Sequence, residues 1–268
     1  MPTENSSVAS LDAKRMAKTT PEITLVTRVA MTGSRPFLGT ATDGNDYWCK
    51  PPNNQQGPET LVAEVAVGVL GNIIGAPIPE WRTLRVSPDL HGQFIKDAGY
   101  RLDGRDVFAS KVIHTADIDV INSEVLQHVQ DDSNYNRIPL LHAMWYLCNA
   151  EDIQFVYAPE EDYSIVSLDH GFWFGSHEQP WGFGKPSEIA GRPEIPKLRS
   201  SIPTKHWDKA IDKLDLIENN LAIGLAAAMP PNWNVDNKLV AKIANYIISR
   251  TDYTRDQLEL LKRTKGGM

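Results

Sequence analysis

The chain has 268 residues, 41% of them hydrophobic and 23% charged, a globular composition long enough for one large domain or two lobes around a substantial core. A formal net charge of -7 argues against direct nucleic-acid binding, yet leaves room for a small phosphate ligand held by metal and backbone amides. Only two cysteines occur, Cys49 and Cys148, each in an apolar segment, which excludes a disulfide framework and cysteine-built zinc sites. No apolar run approaches a membrane span and the first twenty residues lack the apolar core of a signal peptide, so a cytoplasmic location and no membrane partner are expected.

Residues 1–20 show no sustained hydrophobic period and read as a polar, flexible arm. The stretch "ITLVTRVAMTGSRPFLGTATDGNDYWCKPP" predicts three short strands, with turns at Thr32-Gly33-Ser34 and Asp43-Gly44-Asn45. In "GPETLVAEVAVGVLGNIIGAPIPEW", Pro58 suits a first helical turn and Leu61, Val65, Val69 and Ile73 recur on one face. Gly75 and Pro77 stop that helix. "WRTLRV" and "DVFASKVI" add two strands and complete an antiparallel sheet with one helix, a mainly β lobe over residues 21–113.

Residues 114–268 then read as mainly helical. "INSEVLQHV" predicts a helix, and "NRIPLLHAMWYLC" a second one capped by Asn136. A polar break at "NAED" leads into a hairpin formed by "IQFVY" and "YSIVSL", followed by a Gly- and Pro-rich surface loop over 175–204. "HWDKAIDKLDLIENNLAIGLAAAM" predicts one long helix ended by Pro230-Pro231. "VDNKLVAKIANYIISR" and "TRDQLELLKR" predict two more, the last opened by Thr254 with Gln257 at capping-box spacing. The fold class expected is α+β, a small antiparallel β lobe with one helix beside a larger helical lobe, with a ligand site between them.

The polar features follow a kinase-like order: a Gly-Ser turn, a Lys on a strand, a Glu on the next helix, and acidic clusters flanking a hairpin. Phosphoryl transfer needs amides and a cation around the phosphates, oxygen ligands for a divalent metal, and a carboxylate near the accepting hydroxyl. Lys50, ending the apolar strand "DYWCK", can reach phosphates with Glu64 fixing it; the plainer alternative is an exposed strand-edge lysine. Glu64 interrupts a run so apolar that an unpaired carboxylate there would be costly, unless it faces solvent. Gly33 and Ser34 offer amides and a hydroxyl to a nucleotide, although "MTGSRPF" serves equally as a hairpin turn and lacks a full Gly-rich or Walker pattern. Asn149, Glu151, Asp152 and Gln154 crowd the break before the hairpin, where Asn and Asp also simply turn a chain. Asp169, at the end of the hairpin's second strand in "SLDHGFWFG", stands where a metal-binding carboxylate would. His170 occupies the variable middle of Asp-x-Gly and reads as a packing or hydrogen-bonding residue.

These stretches resemble the HipA-like kinases, in particular the short stand-alone branch. "GSRPF", "YWCKPPNNQQGPETLVAEVAVGVLGNIIGAPIPEW", "FASKVI", "NAEDIQ" and "SLDHGFWFG" carry the likeness across residues 30–175; "SLDHGFWF" is more loosely similar to phosphoinositide kinases. The resemblance implies a two-lobed protein-kinase-like fold, ATP with Mg2+, and transfer of the γ-phosphate to Ser or Thr of a protein substrate. In that family the acceptor is often the protein's own phosphate-loop serine, here Ser34. It further implies that Lys50 binds phosphates, that Glu64 pairs with it, and that Asp169, with Gln154 and Asn149, holds Mg2+. The family pattern Asn-Ala-Asp-Gly-x-Gln has Glu151 at the Asp place and Asp152 at the Gly place in this chain, so either carboxylate is a candidate base. Relatives of this type act on translation components and pair with a small antitoxin subunit, which implies a toxin–antitoxin setting and a small antitoxin-like partner. Two rivals stand beside the kinase: a nucleotide-binding pseudokinase or adaptor of the same fold, and a metal-dependent phosphohydrolase using Asp169, His170 and His177. Trp173, Trp181 and Trp207 read as core residues before they read as a substrate groove.

Overall fold

A computed structural model of the chain describes residues 20–113, 124–174 and 194–267. The predicted polar arm, His114, His177, Trp181 and most of the 175–204 loop lie outside the described residues. The first three strands form as their β-branched alternation requires: β1 (Glu22–Val29), β2 (Phe37–Ala41) and β3 (Asp46–Lys50). Gly44 takes φ 79° in the turn joining β2 to β3, a conformation open to glycine at little cost. The two later strands are β4 (Trp81–Val86) and β7 (Val107–Lys111). Between them lies a small hairpin that local pattern does not announce, β5 (Phe94–Ile95) with β6 (Tyr100–Arg101).

The expected antiparallel sheet closes instead into a barrel, in the order β1-β2-β3-β7-β4. Closure comes from a parallel contact of β1 with β4, Glu22 opposite Arg85 and Ile23 opposite Val86. Ile23 and Val86 are thereby buried with Phe37, Tyr47, Cys49, Leu84 and Val107 in the barrel core. The parallel contact covers two edges that an open sheet would leave unpaired.

Helix α1 (Glu59–Ile74) follows Pro58 and ends on Gly75, whose left-handed φ of 75° lets its N–H cap the Gly71 carbonyl. One buried face was expected, yet every residue from Thr60 to Gly71 is buried. A helix apolar all round must be covered all round. Its side chains join Phe108 and the helical lobe in one continuous core, separate from that of the barrel.

The helical lobe departs from local expectation in four places. The predicted helix over 121–129 falls partly outside the described residues. Where it is described, Val125–Leu126 is a strand, β8, parallel to β11 (Lys197–Leu198), a partner seventy residues away that no local pattern reveals. Helix α2 (Asn134–Leu147) starts two residues before the predicted Asn136 cap. There the fully buried Asn134 side chain donates to the carbonyls of His128 and Tyr163 and accepts from the Ile165 N–H, which fixes the entry. The single long helix expected over 206–229 breaks at Leu214–Leu216 into α3 (Thr204–Lys213) and α4 (Ile217–Ala228). The bend lets α4 pack on α1 while α3 packs on the last helix. Finally, α5 (Asn237–Ser249) runs through Arg250 straight into α6 (Thr251–Lys265), so Thr254 is a buried interior residue and not a cap.

The hairpin of β9 (Gln154–Ala158) and β10 (Ser164–Leu168) forms as predicted, with Leu168 opposite Gln154. Short strands β12 (Ile202–Pro203) and β13 (Gly266–Gly267) tie the chain's end to the start of α3. Trp173 and Trp207 are fully buried, as core residues should be. Among the described residues no helix is long and apolar enough to cross a membrane.

Candidate active site

Three elements meet around one ammonium group. Strand β3 delivers Lys50, helix α1 delivers Glu64, and the end of β10 delivers Asp169. The Lys50 Nζ donates to Glu64 Oε1 at 2.5 Å and to Asp169 Oδ1 at 2.6 Å. Lys50 is 7% exposed and Glu64 2%, so neither is the solvated surface residue that each alternative allowed. Burial alone would pull the lysine down, but the charges of Asp169 and Glu64 push it above the usual lysine range. Burial would likewise raise Glu64, yet the Lys50 charge and a hydrogen bond from His170 hold it down at about 2. The pair is therefore ionised at neutral pH.

This charged group lines a cavity of about 260 Å³ between the barrel and the β9–β10 hairpin. The rest of the wall is largely apolar: Ile78, Trp81, Phe108 and Ile113 from the barrel side, Val156 and Leu168 from the hairpin. Trp81 and Phe108 stack with ring centroids 5.8 Å apart. Trp81 reaches this position because Gly68 of α1 has no side chain; a Cβ there would stand 2.3 Å from the indole. A largely apolar cavity whose wall also carries a cation and two carboxylates suits a ring joined to a chain of phosphates. None of these wall residues was singled out from the sequence, where most are simply parts of predicted strands.

Of the two predicted loop residues, neither Gly33 nor Ser34 lines the cavity; Thr32 and Pro36, on either side, do. Ser34 is 2% exposed, so the expectation that its hydroxyl faces the nucleotide is corrected. The loop is packed down on its neighbours: Gly33 lies against the Gln56 side chain, Tyr100 Oη donates to the Arg35 carbonyl at 2.8 Å, and Arg35 Nη1 reaches the Asp97 carbonyl at 3.3 Å.

The catalytic-loop candidates separate. Gln154 lines the cavity, as Asp169 does, and its Nε2 donates to Oδ2 of Asp152 at 2.9 Å; Asp152 is exposed and is linked to the cavity wall through this bond. Glu151 is half-buried, and its charge is felt by the Tyr246 phenol of α5, within the helical lobe. Asn149 is 2% exposed and does not line the cavity. Asn149, Asp152 and Asp169 all take left-handed backbone, at φ 45°, 50° and 51°. Such strain in non-glycine residues concentrates at functional sites. Asp152 thus keeps the left-handed turn that a glycine would occupy in the family pattern, while placing a carboxylate one position later.

A divalent cation fits this donor set. Lys50 takes one oxygen of Asp169 and leaves the other, and the amide nitrogen of Gln154 is committed to Asp152, which leaves its oxygen. Mg2+ commonly takes one or two protein ligands and completes its shell with phosphates and water. Among the described residues no group of three His, Cys, Asp or Glu could hold a metal on its own. His142 is buried against Trp145 and Trp207 and held down at about 4 by that burial, and His170, which lines the cavity, lies between Glu64 and Ser167.

Residues 23–139 match the family model of the HipA-like kinases. Among solved structures, the Helicobacter pylori proinflammatory kinase CtkA superposes with a TM-score of 0.52 at 13% identity, over 90% of this chain and 98% of that one. The Golgi casein kinase with Mn/ADP bound gives a TM-score of 0.42 at 12% identity, over 93% of this chain and 78% of that one. The first of these shows the protein-kinase-like fold. No curated protein sequence matches the chain.

Proposed function

We propose that this chain, which belongs to the HipA-like kinase family through residues 23–139, is an ATP- and Mg2+-dependent kinase acting on Ser or Thr hydroxyls of a protein. Family and fold make it a kinase-like phosphotransferase. The observation that carries the finer reading is the Lys50 ammonium gripped by Glu64 at 2.5 Å and Asp169 at 2.6 Å, in the wall of a largely apolar cavity.

In this reading Trp81, Phe108 and Leu168 take the base, and Lys50 binds the phosphates. Asp169 and Gln154 would hold Mg2+, which when bound would offset the charge gathering on the phosphoryl oxygens. Asp152 receives the proton of the accepting hydroxyl as that oxygen bonds to the γ-phosphorus and the bond to the β–γ bridging oxygen breaks, releasing ADP. Ser34 becomes an acceptor only when its loop lifts away from Gln56 and Tyr100, because the hydroxyl is otherwise buried.

The test uses the purified full chain with Mg2+, γ-labelled ATP and a fluorescent ATP analogue. Wild type should bind the analogue and label itself or an added protein, and Asp169→Ala should abolish labelling. Bound nucleotide without labelling or ATP turnover would leave a non-catalytic nucleotide-binding protein. No binding of the analogue by wild type would overturn the reading.

A further inference from the structure

Glu64 uses both of its carboxylate oxygens. Oε1 holds Lys50, and Oε2 lies 3.1 Å from Nδ1 of His170, a side chain 4% exposed. With Glu64 ionised, that Nδ1 must carry the hydrogen, which leaves Nε2 for the Ser167 hydroxyl at 3.2 Å. Ser167 is itself fixed in the hairpin, its N–H donating to the Pro77 carbonyl just beyond α1 at 2.9 Å and its hydroxyl lying 3.4 Å from the Gln154 carbonyl. The imidazole is also held edge-on against Trp173, with centroids 4.6 Å apart.

We infer that His170 is a positioning residue: it fixes Glu64, and through it Lys50, from the helical lobe. Two consecutive residues then grip both members of one ion pair, Asp169 taking the lysine and His170 the glutamate. Where the sequence shows only a variable middle position of Asp-x-Gly, the structure shows a polar link to α1. The link is one of several that bind this helix to the large lobe. Gly171 approaches Thr60 so closely that a Cβ would stand 3.1 Å from the threonine Cβ, and Gly224 of α4 lies against Val69. The helix's buried side chains share one core with the helical lobe, which also takes in Phe108 of the barrel, while the rest of the barrel keeps a core of its own. The register between Glu64 and Asp169 is thus set within the Asp169-His170-Gly171 tripeptide. What the fixed pair accomplishes rests on the kinase reading above; the contact itself does not.

The test compares His170→Phe, which keeps a ring against Trp173 but loses both hydrogen bonds, with His170→Asn, which keeps a donor near the Nδ1 position. Misplacing a phosphate-binding group by an ångström is worth about 10²-fold in rate, so His170→Phe should lower kcat by roughly that factor with less than about threefold change in nucleotide affinity. His170→Asn should recover most of the loss, which a purely space-filling role would not allow. In a Glu64→Gln background His170→Phe should cost under about twofold, because coupled groups are not additive. Unchanged kcat in His170→Phe, or full independent losses in the double variant, would overturn the proposal. If wild type transfers no phosphate, the kinase reading fails instead, and the same cycle read as urea midpoints still decides: additive shifts at His170 and Glu64 refute the contact. Should His170→Phe fail to fold, Ser167→Ala, which removes only the far bond, must lower kcat measurably for the proposal to stand.

Discussion

The acid sensitivity of the fold tests the central ion pair without any substrate. Glu64 ordinarily titrates at 4.5, and its surroundings hold it at about 2 in the folded chain. At 1.36 kcal/mol per unit, that gap is worth about 3 kcal/mol of stability. The side chain is 3% exposed, so solvent screening removes little of it. A carboxyl lowered by folding contributes fully above its unfolded value and loses that contribution as pH falls toward its folded one. The loss therefore begins near pH 4.5 and is complete near pH 2. Urea unfolding at pH 7, 5 and 3.5 should show wild type losing about 1 kcal/mol more than Glu64→Gln between pH 5 and 3.5. Asp43, Glu80 and Asp103 are also held below their ordinary values, chiefly by hydrogen bonds that outweigh burial, but both proteins share them and the difference isolates Glu64. Equal pH slopes for the two proteins would refute the claim that Lys50 and His170 hold this carboxylate ionised.

Three other substitutions probe the site and its supports. Asp152→Asn should lower kcat by about 10²-fold or more, as loss of a general base does, while Glu151→Gln should cost less than about tenfold; steady-state rates in the reverse order would assign the base to Glu151. Gly68→Ala should force the Trp81 indole out of place, weakening fluorescent-nucleotide binding and destabilising the fold by about 1–3 kcal/mol in urea titration. Arg250 is fully buried, donates from Nε to the Tyr146 carbonyl at 2.6 Å, and lies over the rings of Tyr246 and Tyr253 at 5.5 and 5.0 Å. Arg250→Met should therefore cost about 2–4 kcal/mol, seen as a lowered thermal midpoint.

How much of this was legible depends on whether a residue's role is local. Glu64 betrayed itself because a carboxylate inside "TLVAEVAVGVL" demands a partner, and Lys50 was the nearest cation with a reason to be there. Asp169 was legible from order alone, since the predicted hairpin runs straight into it. Trp81, Phe108 and Leu168 were not, because the wall of a cavity and a piece of core have the same composition. The Gly68–Trp81 contact requires a helix to turn back on the strand that follows it, and the parallel β1–β4 and β8–β11 contacts join segments some sixty and seventy residues apart. Periodicity also misjudged α1, where the spacing of Leu61, Val65 and Val69 suggested one buried face of a helix that is covered on all sides. The bend at Leu214–Leu216 has no sequence signal because it answers to two different packing partners. His170 could have been found: once Glu64 is buried and Lys50 satisfies one oxygen, the other needs a donor, and the imidazole beside Asp169 is already delivered to that spot.

Residues 149–154 show how a departure from a motif can keep its backbone turn. A family pattern with Asp then Gly would place the acid on ordinary backbone and the left-handed turn on glycine. This chain has Glu151 and then Asp152, with the turn retained at φ 50° on Asp152. Aspartate is among the few residues that tolerate this conformation, so the backbone path survives at a cost of about 1 kcal/mol. The carboxylate bonded to the cavity-lining Gln154, at 2.9 Å, then belongs to the turn residue itself. Glu151 is half-buried, and its charge adds a little to the burial that raises the Tyr246 phenol. Replacing Asp152 with glycine would relax the turn yet remove the acid, so Asp152→Gly should fold at least as stably as Asp152→Asn and transfer phosphate no faster. A stable and active Asp152→Gly protein would return the catalytic role to Glu151.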